Sequence, residues 1–202
     1  MPRAPRASRA ALVLATGLTA VTLSGCSAVD TGQAAVSDTF RISQATVEGQ
    51  VREVLTGLDQ PPGTPPDGLA SAVTQRLVQK ELIASKAIEM DVAVTPAEIE
   101  AAEAQLASAN GGEEALLQAA LQAGIPASTL PDVVRTNLLI DKLSAKLTAS
   151  GGQSLQELIV AYSQDLHVEV APRYGDWSPE SLSIVPDTTL VRPSGESTDS
   201  VQ

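Results

Sequence analysis

Val92-Ala93-Val94-Thr95-Pro96-Ala97-Glu98-Ile99 carries the clearest local signal in the chain. Thr95 followed three residues later by Glu98 is a capping box, with Pro96 at the first helical position, where its missing N–H is no loss. The Thr95 hydroxyl accepts from the Glu98 amide while the Glu98 carboxylate reaches back to the Thr95 amide. A helix therefore starts here, and Ile99, Ala102 and Leu106 carry it to about Ser108. Working outward toward the N-terminus, Asp91 to Val94 is a turn and Leu69 to Met90 is the longest helical pattern. Leu69, Val73, Leu77, Ala84 and Ile88 mark one face of it, and Val78, Leu82 and Ile83 widen the stripe, so this helix touches more than one neighbour.

Working outward toward the C-terminus, Asn110-Gly111-Gly112 ends the Thr95 helix. Glu113 and Glu114 open another, their charges placed at its positive end. Leu116, Leu117, Ala120 and Leu121 form its buried side, and Gly124 closes it. Thr129 to Asp132 reads as a further cap with Pro131 in the first turn, leading a long helix to about Leu147. Val133, Ile140, Leu143 and Leu147 make its stripe, with Val134, Leu138 and Leu139 in support. Lys142 and Lys146 sit near its negative end. After Gly151-Gly152, Ser154-x-x-Glu157 opens one more helix, through Leu158, Ile159 and Tyr162 to about Asp165.

The ends of this helical series alternate apolar and polar residues, as strands do. Val36-Ser37-Asp38-Thr39-Phe40-Arg41-Ile42 reads as one short strand with Val36, Phe40 and Ile42 on a single face. Ser43 then caps a helix to about Leu58, with Val47, Val51, Val54, Leu55 and Leu58 at helical spacing. Leu166-His167-Val168-Glu169-Val170 alternates as well and has the length to pair with the first strand. Between the first two helices, Asp59 to Gly68 holds four prolines and reads as a linker. The expected fold is thus mostly α: five or six helices with a small two-stranded sheet pairing early and late segments. From Ser178 onward Ser, Thr, Pro and Asp dominate without a period, so residues 178–202 read as an irregular or disordered tail.

The first residues set the compartment. Arg3, Arg6 and Arg9 precede an uncharged, mostly apolar run from Ala10 to Leu23, the order of a secretory signal and too short for a comfortable membrane span. Leu23-Ser24-Gly25-Cys26 then resembles the lipobox of bacterial lipoproteins. That resemblance implies signal-peptidase recognition of Leu23, Ser24 and Gly25, cleavage of residues 1–25, and a diacylglyceryl thioether on Cys26. Cys26 is the only cysteine, so an internal disulfide is impossible. Two acyl chains on one residue give stable anchoring, and the protein would face outward from the cell membrane. Residues 26–35, small and polar, read as a tether.

Removing residues 1–25 leaves 177 of 202 residues, enough for one domain with its own core. The removed segment holds three arginines and no acid, so 13 basic residues fall to 10 against 24 acids, a charge of −14. Such a chain is repelled by nucleic acid and by an anionic bilayer surface. Phe40, Tyr162, Tyr174 and Trp177 are all the aromatics, so the core is built from Leu, Val, Ile and Ala.

The ordered series now on the page is a strand, a helix, a long helix ending near Val92–Ile99, a Gly-Gly break and another long helix. It closes with Ala171-Pro172-Arg173-Tyr174-Gly175-Asp176-Trp177. The series resembles the N-terminal chaperone domain of the SurA/PrsA family of surface and periplasmic foldases, over residues 36–177. The resemblance implies a helical body that binds unfolded or partly folded exported polypeptides, closed by pairing of its first and last strands. Isomerase activity does not carry over. Active members insert a parvulin domain before the closing strand, and the Leu147 to Leu166 gap is far shorter than a domain needs. The expected function is that of a membrane-anchored, extracytoplasmic chaperone-like lipoprotein without enzymatic activity. A lipoprotein adaptor binding one folded envelope partner is the alternative from a different class.

Candidate chemistry is sparse. His167, the sole histidine, lies between Asp165 and Glu169 with no nucleophile or metal spacing around it, and reads as a half-exposed strand residue. Glu98, Glu100, Glu103, Glu113 and Glu114 read as solvated helix faces, since they lack the loop that Ca²⁺ sites use. No metal or cofactor is expected. Tyr174 and Trp177 either contact client segments or pack the closing strand against the helices; the shortage of other large residues favours packing. Met90 reads as core. Replacing Cys26 by Ala is expected to abolish metabolic palmitate labelling and to move the protein out of the membrane fraction. Unchanged labelling would rule out the acylated thiol.

Overall fold

The computed structural model describes residues 32–61, 63 and 65–186. Leu23, Ser24, Gly25 and Cys26 lie outside them, as do the signal segment and the last sixteen positions. The fold is mostly α, six helices and a small sheet that pairs early with late segments. The strands are β1 (Gln33–Val36), β2 (Arg41–Ser43), β3 (Glu169–Val170), β4 (Asp176–Ser178) and β5 (Ser183–Val185). The helices are α1 (Gln44–Gly57), α2 (Leu69–Glu89), α3 (Pro96–Ala109), α4 (Glu113–Gln122), α5 (Leu130–Ala149) and α6 (Leu155–Asp165). Helix α6 occupies the interval between α5 and the closing strand.

The early segment differs in one respect from the single strand expected over Val36–Ile42. It is a hairpin, and Ser37 to Phe40 form its turn. The Ser37 amide donates to the Phe40 carbonyl at 2.9 Å, and the Ser37 hydroxyl accepts from the amides of Thr39 and Phe40. A short polar Ser-Asp-Thr run offers the backbone these side-chain partners, and that outweighs two-residue alternation. Val36, Phe40 and Ile42 are buried all the same. Strand β1 therefore lies in the middle of a three-stranded sheet, order β2-β1-β3. Ala35 faces Ile42 on one side and Val170 on the other, both antiparallel.

Two boundaries move with these strands. Ala34 and Ala35 are fully buried, so the residues expected to end a tether at 35 already belong to the sheet from Gln33. At the other end, residues just past Trp177 are not irregular: β4 and β5 pair antiparallel, with Trp177 opposite Ile184. Gly175 makes this hairpin possible. Its φ is +106°, and a Cβ there would stand 2.5 Å from the Val185 carbonyl oxygen. The late strand is also shorter than expected. Leu166 caps α6 and His167 adopts φ +48°, so only Glu169 and Val170 pair with β1.

Helix starts follow local chemistry. Ser43 accepts from the Thr46 amide, and both Thr95/Glu98 and Ser154/Glu157 form complete capping boxes. The Thr129 cap does not form. Ala127–Thr129 is a 3-10 turn, which leaves Thr129 helical, and its hydroxyl donates back to the Pro126 carbonyl at 3.0 Å. Lys142 and Lys146 do more than face a helix end. The Lys142 ammonium pairs with Glu98 at 2.6 Å and donates to the Ala93 carbonyl, while Lys146 donates to the Met90 carbonyl. Both lysines dock the α2–α3 connection on α5.

The core centres on α2. Val73, Val78 and Leu82 are fully buried together with Val47 and Leu55 of α1 and Leu143 of α5. Ile88, expected on the buried stripe, is 77% exposed, and Ala87 is buried instead. In the last turn of α2, Lys86, paired with Glu89 on the same helix, stands 3.9 Å over the ring of Tyr162, and that cation–π contact joins α2 to α6.

Glu98 is held by Lys142 first and by the amide and hydroxyl of Thr95 next, and these partners bring its carboxyl down to about 2 from 4.5. A depressed carboxylate contributes stability that is full above its ordinary value and lost as pH falls through the folded value. Melting temperature is therefore expected to drop more steeply between pH 4.5 and pH 2 in the wild type than in Glu98→Gln. Parallel acid limbs for the two proteins would contradict this.

Candidate functional site

Helices α1, α2, α5 and α6 do not close completely on one another. Between them lies a groove of about 390 Å³, within the range of ligand-binding clefts. Its floor and walls are aliphatic: Leu77 and Ile83 from α2, Val133 and Ile140 from α5, Leu155 and Ile159 from α6. Leu182, in the β4–β5 turn, adds one edge, held there by the Gln79 amide donating to its carbonyl at 2.8 Å. Val133, Ile140, Leu155 and Leu182 are only half-buried. Four aliphatic side chains from three separate elements thus present part of their surface to a shared space.

Charge enters the groove from one wall. Arg76 and Lys80 lie one helical turn apart on α2 and so share a face. Lys80 is paired with Asp132 of α5 at 2.7 Å, which bridges the two walls. Asp132 is available for this because it does not serve the helix start that the sequence suggested. Arg76 has no carboxylate partner among the described residues; its guanidinium donates to the Gln50 side-chain oxygen at 3.3 Å. Burial pulls the Arg76 guanidinium below its ordinary value, and such a group stays protonated at neutral pH. Asn137 of α5 and Gln156 of α6 are exposed on the walls facing it.

The sequence-predicted site residues lie elsewhere. Tyr174 is buried against α1 and α2, its carbonyl accepting from the Ser71 hydroxyl at 2.7 Å. Arg173 stands over its ring at 5.5 Å and comes to 3.9 Å from Glu48. Trp177 is half-buried, and its indole N–H donates to the buried Ser163 hydroxyl of α6 at 2.8 Å. Neither aromatic lines the groove. Met90 is half-buried against the core. His167 is not in a strand but in an exposed left-handed turn, its Nδ1 3.2 Å from Asp38 Oδ2. Among the described residues no group of three or more His, Cys, Asp or Glu side chains could hold a metal ion. No described helix is long and apolar enough to cross a membrane.

The groove itself was missed in sequence. Val133 and Ile140 were read as part of a buried stripe, and the same aliphatic spacing serves a closed core and an open cleft equally well. The one available signal is the pair of cations Arg76 and Lys80, one turn apart on the same helix as the apolar stripe of Val73, Leu77 and Val78. No protein-family model matches the chain, and no curated protein matches it.

Trp177→Phe removes the donor to a hydroxyl that is shut off from water. A loss of about 1 kcal/mol in urea unfolding is expected. Paired with Ser163→Ala, the same substitution should cost less than the sum of the two single changes. Strict additivity would show that the indole contact does not couple β4 to α6.

Proposed function

We propose that this chain is a membrane-anchored, extracytoplasmic chaperone-like lipoprotein of SurA/PrsA-like build that holds exposed apolar segments of exported polypeptides and performs no isomerisation. The observation that carries the reading is the groove between α1, α2, α5 and α6. Half-buried Val133, Ile140, Leu155 and Leu182 leave apolar surface open where a closed core would bury it. Reversible burial of aliphatic side chains there returns roughly 25 cal/mol per Å² of apolar area. A cleft of this size accepts a few side chains at a time, so binding is weak, exchanges freely and suits holding. The signal-like N-terminus with Cys26 supports lipid anchoring on the extracytoplasmic face of the cell membrane, and the order of strands and helices supports the family likeness.

The test is suppression of aggregation. The full chain, reconstituted in neutral phosphatidylcholine nanodiscs, is expected to delay light scattering by thermally denatured citrate synthase at molar excess. Val133→Asp places a charge in the groove at the first turn of α5, where a carboxylate is tolerated by the helix. That variant is expected to lose most of the delay while retaining its melting temperature within a few degrees. No delay by the wild type overturns the holding function. Crosslinking in intact cells gives the second reading: a ladder of many partly folded chains supports holding, and one partner in fixed proportion would identify an adaptor.

A further inference from the structure

Resting on the holding function just proposed, we infer that the groove selects extended segments in which aliphatic residues flank an Asp or Glu, and that Arg76 is the anchor for that carboxylate. Three observations on the groove converge. Arg76 is half-buried, and among the described residues its guanidinium meets a neutral amide oxygen, that of Gln50 at 3.3 Å, and no carboxylate. The second cation, Lys80, is paired with Asp132, so among the described residues lining the groove one positive charge, that of Arg76, has no carboxylate against it. That charge stands inside a chain whose formal net charge is −11.

The geometry of a guanidinium decides the chemistry it favours. Its planar fork of N–H donors matches a carboxylate with two parallel hydrogen bonds, and a charge-assisted bond is about twice as strong as a neutral one. Low exposure strengthens the pairing further, since solvent screening is reduced. An aliphatic neighbour on the incoming segment meets Ile83, Val133, Ile140 and Leu155. The exposed amides of Asn137 and Gln156 on the facing walls match the N–H and C=O groups of an extended backbone. An uncharged, wholly apolar segment would leave Arg76 further desolvated without a partner, which costs binding. A basic segment meets like charge at Arg76.

The experiment uses two short fluorescein-labelled peptides of Leu and Val with Ser-Gly ends, identical except for one central Glu or Gln. Binding to the full chain in phosphatidylcholine nanodiscs is followed by anisotropy. The Glu peptide is expected to bind roughly tenfold tighter than the Gln peptide, and the gap should narrow at high salt. Arg76→Gln should remove that preference, weakening the Glu peptide and, by lifting the desolvation cost, leaving the Gln peptide bound no more weakly than before; Arg76→Lys, which keeps the charge but not the fork, should retain part of it. Equal affinities in the wild type overturn the anchor. If the wild type then still delays citrate synthase aggregation, only the anchor falls; if it does not, the holding function falls with it. A Glu preference that appears only when residues 187–202 are deleted would assign Arg76 to the chain's own tail and overturn the external partner. Self-association of the free protein that Arg76→Gln abolishes would assign it to a second copy, with the same consequence.

Discussion

Helix α2 has neighbours on nearly every side, and the rest of the body takes its position from that enclosure. Helices α1, α5 and α6, strands β1 and β5 and the Pro172–Tyr174 turn all pack on it. Its buried residues, Val73, Thr74, Leu77, Val78, Leu82, Ile83 and Ala87, do not fit a single stripe. A helix buried all round needs neighbours that approach closely, and a chain with so few aromatics supplies them in Ala, Val and Leu. Even the polar exception complies: the Thr74 hydroxyl, fully buried, donates to the Ala70 carbonyl one turn back at 2.8 Å. Coverage of α2 is incomplete at Ala72 near its start, at Ile88 and Glu89 in its last turn, and along Arg76 to Lys80, where the groove lies.

Local chemistry was the legible part. The capping boxes at Thr95 and Ser154 and the Ser43 cap each depend on residues within four positions of one another, and all three form. Pairing of an early strand with the late segment at Glu169–Val170 was legible too, because both regions alternate and both are short. What resisted was competition between two local readings of the same letters. Val36 to Ile42 alternates like a strand, yet Ser37 satisfies turn amides that a strand would leave to a neighbour. Thr129 to Asp132 resembles a helix start, yet a 3-10 turn at Ala127–Thr129 sets the backbone before the cap can form.

The groove was illegible for a different reason. Periodicity reports that a side chain is apolar and on which face it stands; it does not report how closely the facing element approaches. Leu143 and Ile140 lie three positions apart on α5, one fully buried and the other half open. The difference is made by α6 and the β4–β5 turn, whose residues lie well downstream, from Leu155 onward. Lys142 shows the same limit from the polar side. Its charge suits the end of α5, but its partners, Glu98 and the Ala93 carbonyl, come from another helix start. That contact makes a capping box into a joint between α3 and α5.

The place of β1 in the sheet has a mechanical consequence. A lipid thioether of the kind proposed at Cys26 would act on the body through β1, whose first residue comes seven positions later. Such a leash reaches at most about 25 Å when taut. Tension along it would not peel an edge strand, one hydrogen bond after another. Because β1 is flanked by β2 and β3, the pull would be resisted in shear by both ladders together. A body moored this way would stay within a protein diameter of the bilayer, with any pull on the leash shared between two ladders.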